Sequence, residues 1–227
     1  MDGSRGRFNE MPKRPGGFAL ADSSESGPSR AFGAVLYDSP EMKNPANVVA
    51  AIGLALGGVF GMLGTMVAER NLQAAFWAVD GVGLVVAAAL LAWKFFRTGN
   101  DLAGAGFLVF AIGEGIMLEG TAESLAGSVP SFAAGTALWS AALLLTSIPK
   151  EFASRIRVVG IVGAILFAIT AARIFWGEPV LPTSSPLPFF AYPFLVLTFA
   201  GWIWTLLSGP PRHGGSISKQ GDLGDRM

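Results

Sequence analysis

Six runs of about 20 apolar residues follow one another along most of this chain, and that spacing leaves few ways to fold. A helix rising about 1.5 Å per residue needs roughly 20 residues to cross the hydrocarbon core of a bilayer. The runs lie at 46–67, 72–95, 102–120, 131–148, 156–176 and 187–207. The expected fold class is therefore an all-α integral membrane protein, a bundle of six transmembrane helices over 46–208. The fourth run is the shortest, and Pro130 and Pro149 bracket it as start and stop signals. Only 14% of the 227 residues are charged, against about a quarter in a soluble domain.

Polar tails flank the bundle. Residues 1–45 are rich in Gly, Pro and Ser and cannot bury enough apolar surface to fold alone, so they read as a disordered tail. Phe8, Phe18, Phe32 and Tyr37 read as stray aromatics in it, with a short docking motif as the other possibility. The tail lacks the apolar core of a signal peptide, which leaves the first span to direct insertion. Residues 209–227 form a second flexible tail. With six spans, every basic residue except Arg70 and Arg173 falls on the side of the two tails. By the positive-inside rule both termini are cytoplasmic. Trp93, Trp202 and Trp204 then fall near the inner interface and Trp77 and Trp176 near the outer one, as an aromatic belt, while Trp139 reads as packing. An Ala/Gly-rich chain of this kind suggests a bacterial inner membrane.

The inventory excludes much chemistry. There is no cysteine, and the one histidine, His213, lies in the C-terminal tail. That removes thiolate catalysis, Ser–His triads, bis-histidine haem and His-rich metal sites. No phosphate-binding glycine loop is present. The net charge is zero, so no basic footprint suggests nucleic acid. Neither enzymatic activity nor a cofactor is expected.

What remains is acidic. Asp80 sits in the second run and Glu114 in the third, and burying a carboxylate in a bilayer is costly enough that such residues usually face a cavity, a partner charge or a transported species. Counting residues places both about 9 to 12 Å below the outer edge, so consecutive antiparallel helices present them at one level. Glu119 lies higher, Arg173 is the one cation expected to reach them, and Tyr192 shares the same outer third. These five residues are the candidate lining of a polar, outward-facing cavity that binds a small solute, a proton or a cation. Glu119 and Glu123 read rather as solvated residues at a helix end, and Tyr192 rather as an interfacial anchor. Acids that merely lock helices together are the structural alternative. Pro193 frees the carbonyl of Phe189 and is expected to kink the sixth span. Gly53, Gly57 and Gly61 make a ladder of small residues that lets a helix approach closely, within the chain or across a dimer face.

Asn44-Pro45-Ala46, just before the first span, resembles the Asn-Pro-Ala signature of the acetate/succinate uptake transporters, although Asn47-Val48-Val49 departs from that pattern. The six-span layout with a glycine-rich first helix is also similar to bacterial acid-resistance membrane proteins. No residue role carries over from either family. Two functions are expected from these readings: a small-solute or ion transporter or channel using the buried acids, or a non-transporting scaffold that packs against a membrane-protein partner or a second copy of itself.

Overall fold

The computed structural model describes residues 45–208, and its regular structure is entirely helical. The helices are α1 (Pro45–Met66), α2 (Arg70–Arg97), α3 (Asp101–Gly120), α4 (Val129–Ser147), α5 (Ser154–Phe175) and α6 (Tyr192–Ser208). The first five are each long and apolar enough to cross a membrane. The tails, with their aromatics and His213, lie outside the described residues.

Local chemistry sets the helix ends. Glu69 caps α2, its carboxylate accepting from the backbone N–H of Asn71 at 2.9 Å and from that of Leu72. Two of the first turn's orphan donors are thereby satisfied. Asn100 caps α3 by accepting from the Ala103 N–H at 3.2 Å. The chain reverses between these helices at Gly99, whose φ of 76° is a conformation that other residues adopt only at a cost of about 1–2 kcal/mol. Pro130 occupies the first turn of α4, where its missing N–H breaks no bond. Arg157 in α5 reaches back to donate to the carbonyls of Ser147 and Ile148, at 2.6 and 2.9 Å, and so closes the end of α4.

Short connections make consecutive helices antiparallel, and their contacts close a ring. Each helix packs on the next, and α6 returns to α1; no other pair meets backbone to backbone among the described residues. The proximal end of the ring carries Pro45, Ser208 and the α2–α3 and α4–α5 connections. The distal end carries the other three.

Small residues keep the ring tight. Gly53, Gly57 and Gly61 all face α2: an added Cβ would meet the Gly83 carbonyl and Ala87 from Gly53, Leu84 from Gly57, and Asp80 from Gly61. The ladder thus serves packing within the chain, the first of the two uses foreseen for it. On α3, an added Cβ at Gly106 would lie 2.7 Å from Thr146 Cγ2 and one at Gly113 would lie 2.9 Å from Leu138 Cβ, both on α4. Such close approach suits helices that gain little from burial against one another in lipid.

Aromatic side chains span the middle of the ring. Phe107 meets Trp202 with ring centroids 4.7 Å apart, Phe95 at 5.4 Å, and Phe152, folded in from the α4–α5 connection, at 6.3 Å. Phe110 continues the column to Trp139 at 5.6 Å and Phe199 at 5.7 Å. All of these rings are buried. Trp202, expected at the interface, belongs to this core, whereas Trp93, Trp176 and Trp204 are exposed. The outside of the ring is apolar: Ile52, Val59, Val82, Ile112, Val158 and Leu197 are exposed there, as contact with lipid requires.

The sixth element corrects the expectation. Helix α6 has 17 residues and starts at Tyr192, not near residue 187. Residues 177–191 form a turn-rich segment folded against the distal end, with Val180, Pro182, Pro188 and Ala191 buried. Pro179, Pro182, Pro186 and Pro188 each lack the N–H a helix would need, which is why apolar content alone was misleading here. Pro193 therefore stands in the first turn of α6 and makes no kink.

Candidate functional site

Asp80 lies in the third turn of α2 and Glu114 near the distal end of α3. They are 8% and 3% exposed, and both line one cavity of about 80 Å³ in the distal half of the ring. Helices α1, α2, α3, α4 and α6 contribute its walls. Glycines make the meeting possible. A Cβ at Gly81 would sit 3.4 Å from Glu114 Oε1, and one at Gly61 would sit 2.9 Å from Asp80 Oδ2. The two carboxyl groups are close enough to interact electrostatically.

Neither acid is satisfied. Asp80 Oδ1 and Glu114 Oε2 are buried without a hydrogen-bond partner. So is Trp139 Nε1, which lies within reach of Glu114 but makes no bond of ordinary geometry to it. Each such atom costs about 1–3 kcal/mol, more where charge is involved. All three atoms belong to residues that line this one cavity.

The other expected lining residues divide. Tyr192 does line the cavity, and its hydroxyl donates to the Pro182 carbonyl at 2.9 Å, tying α6 to the segment before it. Arg173 does not reach the acids. Its Nη2 and Nε bind Glu178 Oε2 at 2.6 and 2.7 Å on the surface. Gly177, with a φ of 93°, turns the chain directly after α5, and the Glu178 N–H donates to the Arg173 carbonyl at 3.0 Å. A partner five residues away closes a far shorter loop than one on another helix, so the local pair wins. Glu119 is exposed and accepts from Ser131 Oγ at 2.9 Å, linking α3 to α4 outside the cavity.

The rest of the lining corrects the idea of a polar cavity. It is largely aromatic and aliphatic, with Trp77, Phe132, Trp139 and Phe199 among the walls and Met62 and Met117 beside them. Helical spacing held a signal for some of these: Trp77 and Leu84 share a face with Asp80, and Met117 and Leu118 share one with Glu114. Arg70, read only as an outlying charge, stands at the distal rim. It donates through Nη2 to the carbonyls of Thr121 and Glu123, through Nη1 to Gln73 Oε1 at 3.1 Å, and lies 6.0 Å from the Trp77 ring centroid.

No known protein family, curated protein or solved structure matches the chain. The likeness at Asn44-Pro45-Ala46 gains nothing from these comparisons, and Asn44 lies outside the described residues. The functional reading rests on the cavity itself.

Proposed function

We propose that this is a multi-pass membrane protein that binds a small positively charged or protonatable species between Asp80 and Glu114 and moves it across the bilayer. One observation carries the reading: two carboxylates share one cavity, each keeps a buried oxygen that no donor satisfies, and neither has an ion-pair partner among the described residues. Acids present only to lock helices would spend those oxygens on neighbouring donors. Buried acids in membrane helices commonly hold ions or relay protons.

The distribution of basic residues supports cytoplasmic termini, hence a distal end facing outward, in a bacterial-type inner membrane. The cavity then belongs to the outer half, and the aromatic column separates it from the cytoplasm. Transport on this reading requires the column to part. This reading is non-enzymatic, in keeping with a chain that offers no thiolate and no histidine in its apolar runs.

The test is charge movement in proteoliposomes driven by a gradient of candidate cations. Glu114→Gln and Asp80→Asn keep size and remove charge, and each is expected to abolish the current while the protein stays monodisperse. Full currents in both variants would remove the acids from the function. A scaffold would instead give no current and a stoichiometric partner in mild detergent. Its expected contact, the α1 glycine ladder, already faces α2.

A further inference from the structure

The walls around Asp80 and Glu114 differ from those of an inorganic ion site. We infer that the ligand is a small organic ammonium cation, which rests on the reading of this cavity as a binding site. Calcium takes six to eight oxygen ligands and magnesium a near-ideal octahedron, about six. Here, among the described residues, no three of His, Cys, Asp and Glu converge. The Tyr192 hydroxyl is engaged with Pro182. A small inorganic cation would shed its water and find two carboxylates and the hydroxyls of Thr65, Thr121 and Ser128. Each hydroxyl already donates to a carbonyl of its own turn, and the set is short of a full shell. An anion would be repelled, and a neutral apolar solute would leave both acid oxygens unmet.

An alkylated ammonium answers both halves of the site. Its charge meets the two carboxylates, and its carbon atoms meet ring faces and thioethers. Five aromatic residues line the cavity: Trp77, Phe132, Trp139, Tyr192 and Phe199. Aromatic faces attract ammonium groups through their quadrupole, most strongly where water is excluded. Several of the rings are held in place before any ligand arrives. Trp139 stacks on Phe110 at 5.6 Å and meets the edge of Phe167 at 5.2 Å. Tyr192 is fixed by Pro182 and by Phe167 at 5.9 Å. A cage ordered in advance loses little freedom on binding. A cavity of about 80 Å³ suits a ligand on the scale of simple methylated amines.

The experiment titrates the full chain in lipid nanodiscs with methylammonium and tetramethylammonium chlorides, with sodium chloride and sodium acetate as comparators, by calorimetry. Saturable binding of an ammonium, unaffected by sodium or acetate, is expected. Binding should vanish in Glu114→Gln and weaken roughly tenfold in Trp139→Leu. Phe132→Leu, outside the aromatic column, is expected to weaken it as well, so that a misfolded Trp139 variant does not decide the question. Three outcomes overturn the inference while leaving the carboxylate site in place: sodium binding in preference, ammonium affinity unchanged in both aromatic variants, or no ammonium binding to a cavity that thiol reagents can still reach at Asp80→Cys and Glu114→Cys. No binding of any cation, together with no thiol labelling at either position, removes the binding site and the inference together.

Discussion

Replacing Gly53 by alanine puts a methyl group where the Gly83 carbonyl of α2 already lies, 2.9 Å from the Cβ of Ala87. Carbon atoms rest at about 3.5–4.0 Å, so the overlap is half an ångström or more. Both obstacles are anchored to backbone, and no flexible side chain can swing aside. Helices α1 and α2 must part, loosening the Gly57–Leu84 and Gly61–Asp80 contacts along the same seam. Overpacking of this kind costs about 1–3 kcal/mol. Alanine returns about 0.8–1 kcal/mol of helix propensity. Gly115→Ala isolates the two terms, because its added Cβ meets nothing within 4 Å and it gains propensity without the clash. The Gly53 variant should therefore fall about 1–3 kcal/mol below the Gly115 variant. Titration with a denaturing detergent, followed by far-UV circular dichroism in mild micelles, reads this difference. Equal stability of the two variants would refute the α1–α2 packing described here.

Gly61→Ala tests the site more than the fold: its Cβ would fall 2.9 Å from Asp80 Oδ2, so the carboxylate must rotate, and cation binding measured by calorimetry is expected to drop severalfold with the helical content unchanged. Arg70→Met removes the link from α2 to the Thr121 and Glu123 carbonyls; a loss of about 1–3 kcal/mol is expected, with faster amide exchange in the α3–α4 connection. Arg173→Gln breaks only an exposed pair, so stability should change by less than about 1 kcal/mol and binding in the cavity not at all. Tyr192→Phe forfeits the bond to the Pro182 carbonyl, worth about 1 kcal/mol, and should raise exchange across residues 180–191.

Much of the fold was legible because length and apolarity decide it. Five helices lie close to their expected runs, and Pro130 marks the start of α4 as expected, whereas the caps Glu69 and Asn100 had no reading in the sequence. The shared level of Asp80 and Glu114 was legible from depth, since antiparallel neighbours bring residues of equal depth together, but whether the two face one another was not. Nor was helix rotation. These helices are apolar on every face, and the turn each presents inward is chosen by packing such as Gly113 on Leu138. That hid the aromatic walls, of which Trp77 and Phe132 had no reading as lining. Arg173 was misjudged because charge was weighed without loop length. The start of α6 was misjudged because apolar content was weighed above four closely spaced prolines.

Water access to the two acids is the most direct test, and the absence of native cysteine makes it clean. Asp80→Cys and Glu114→Cys, introduced singly, are to be probed in intact cells with a membrane-impermeant thiol reagent, with the exposed Ala122→Cys as control. Labelling at both positions is the expected result. Labelling of the control with neither acid position touched would contradict a ligand-accessible carboxylate cavity and leave the two acids as packed helix contacts.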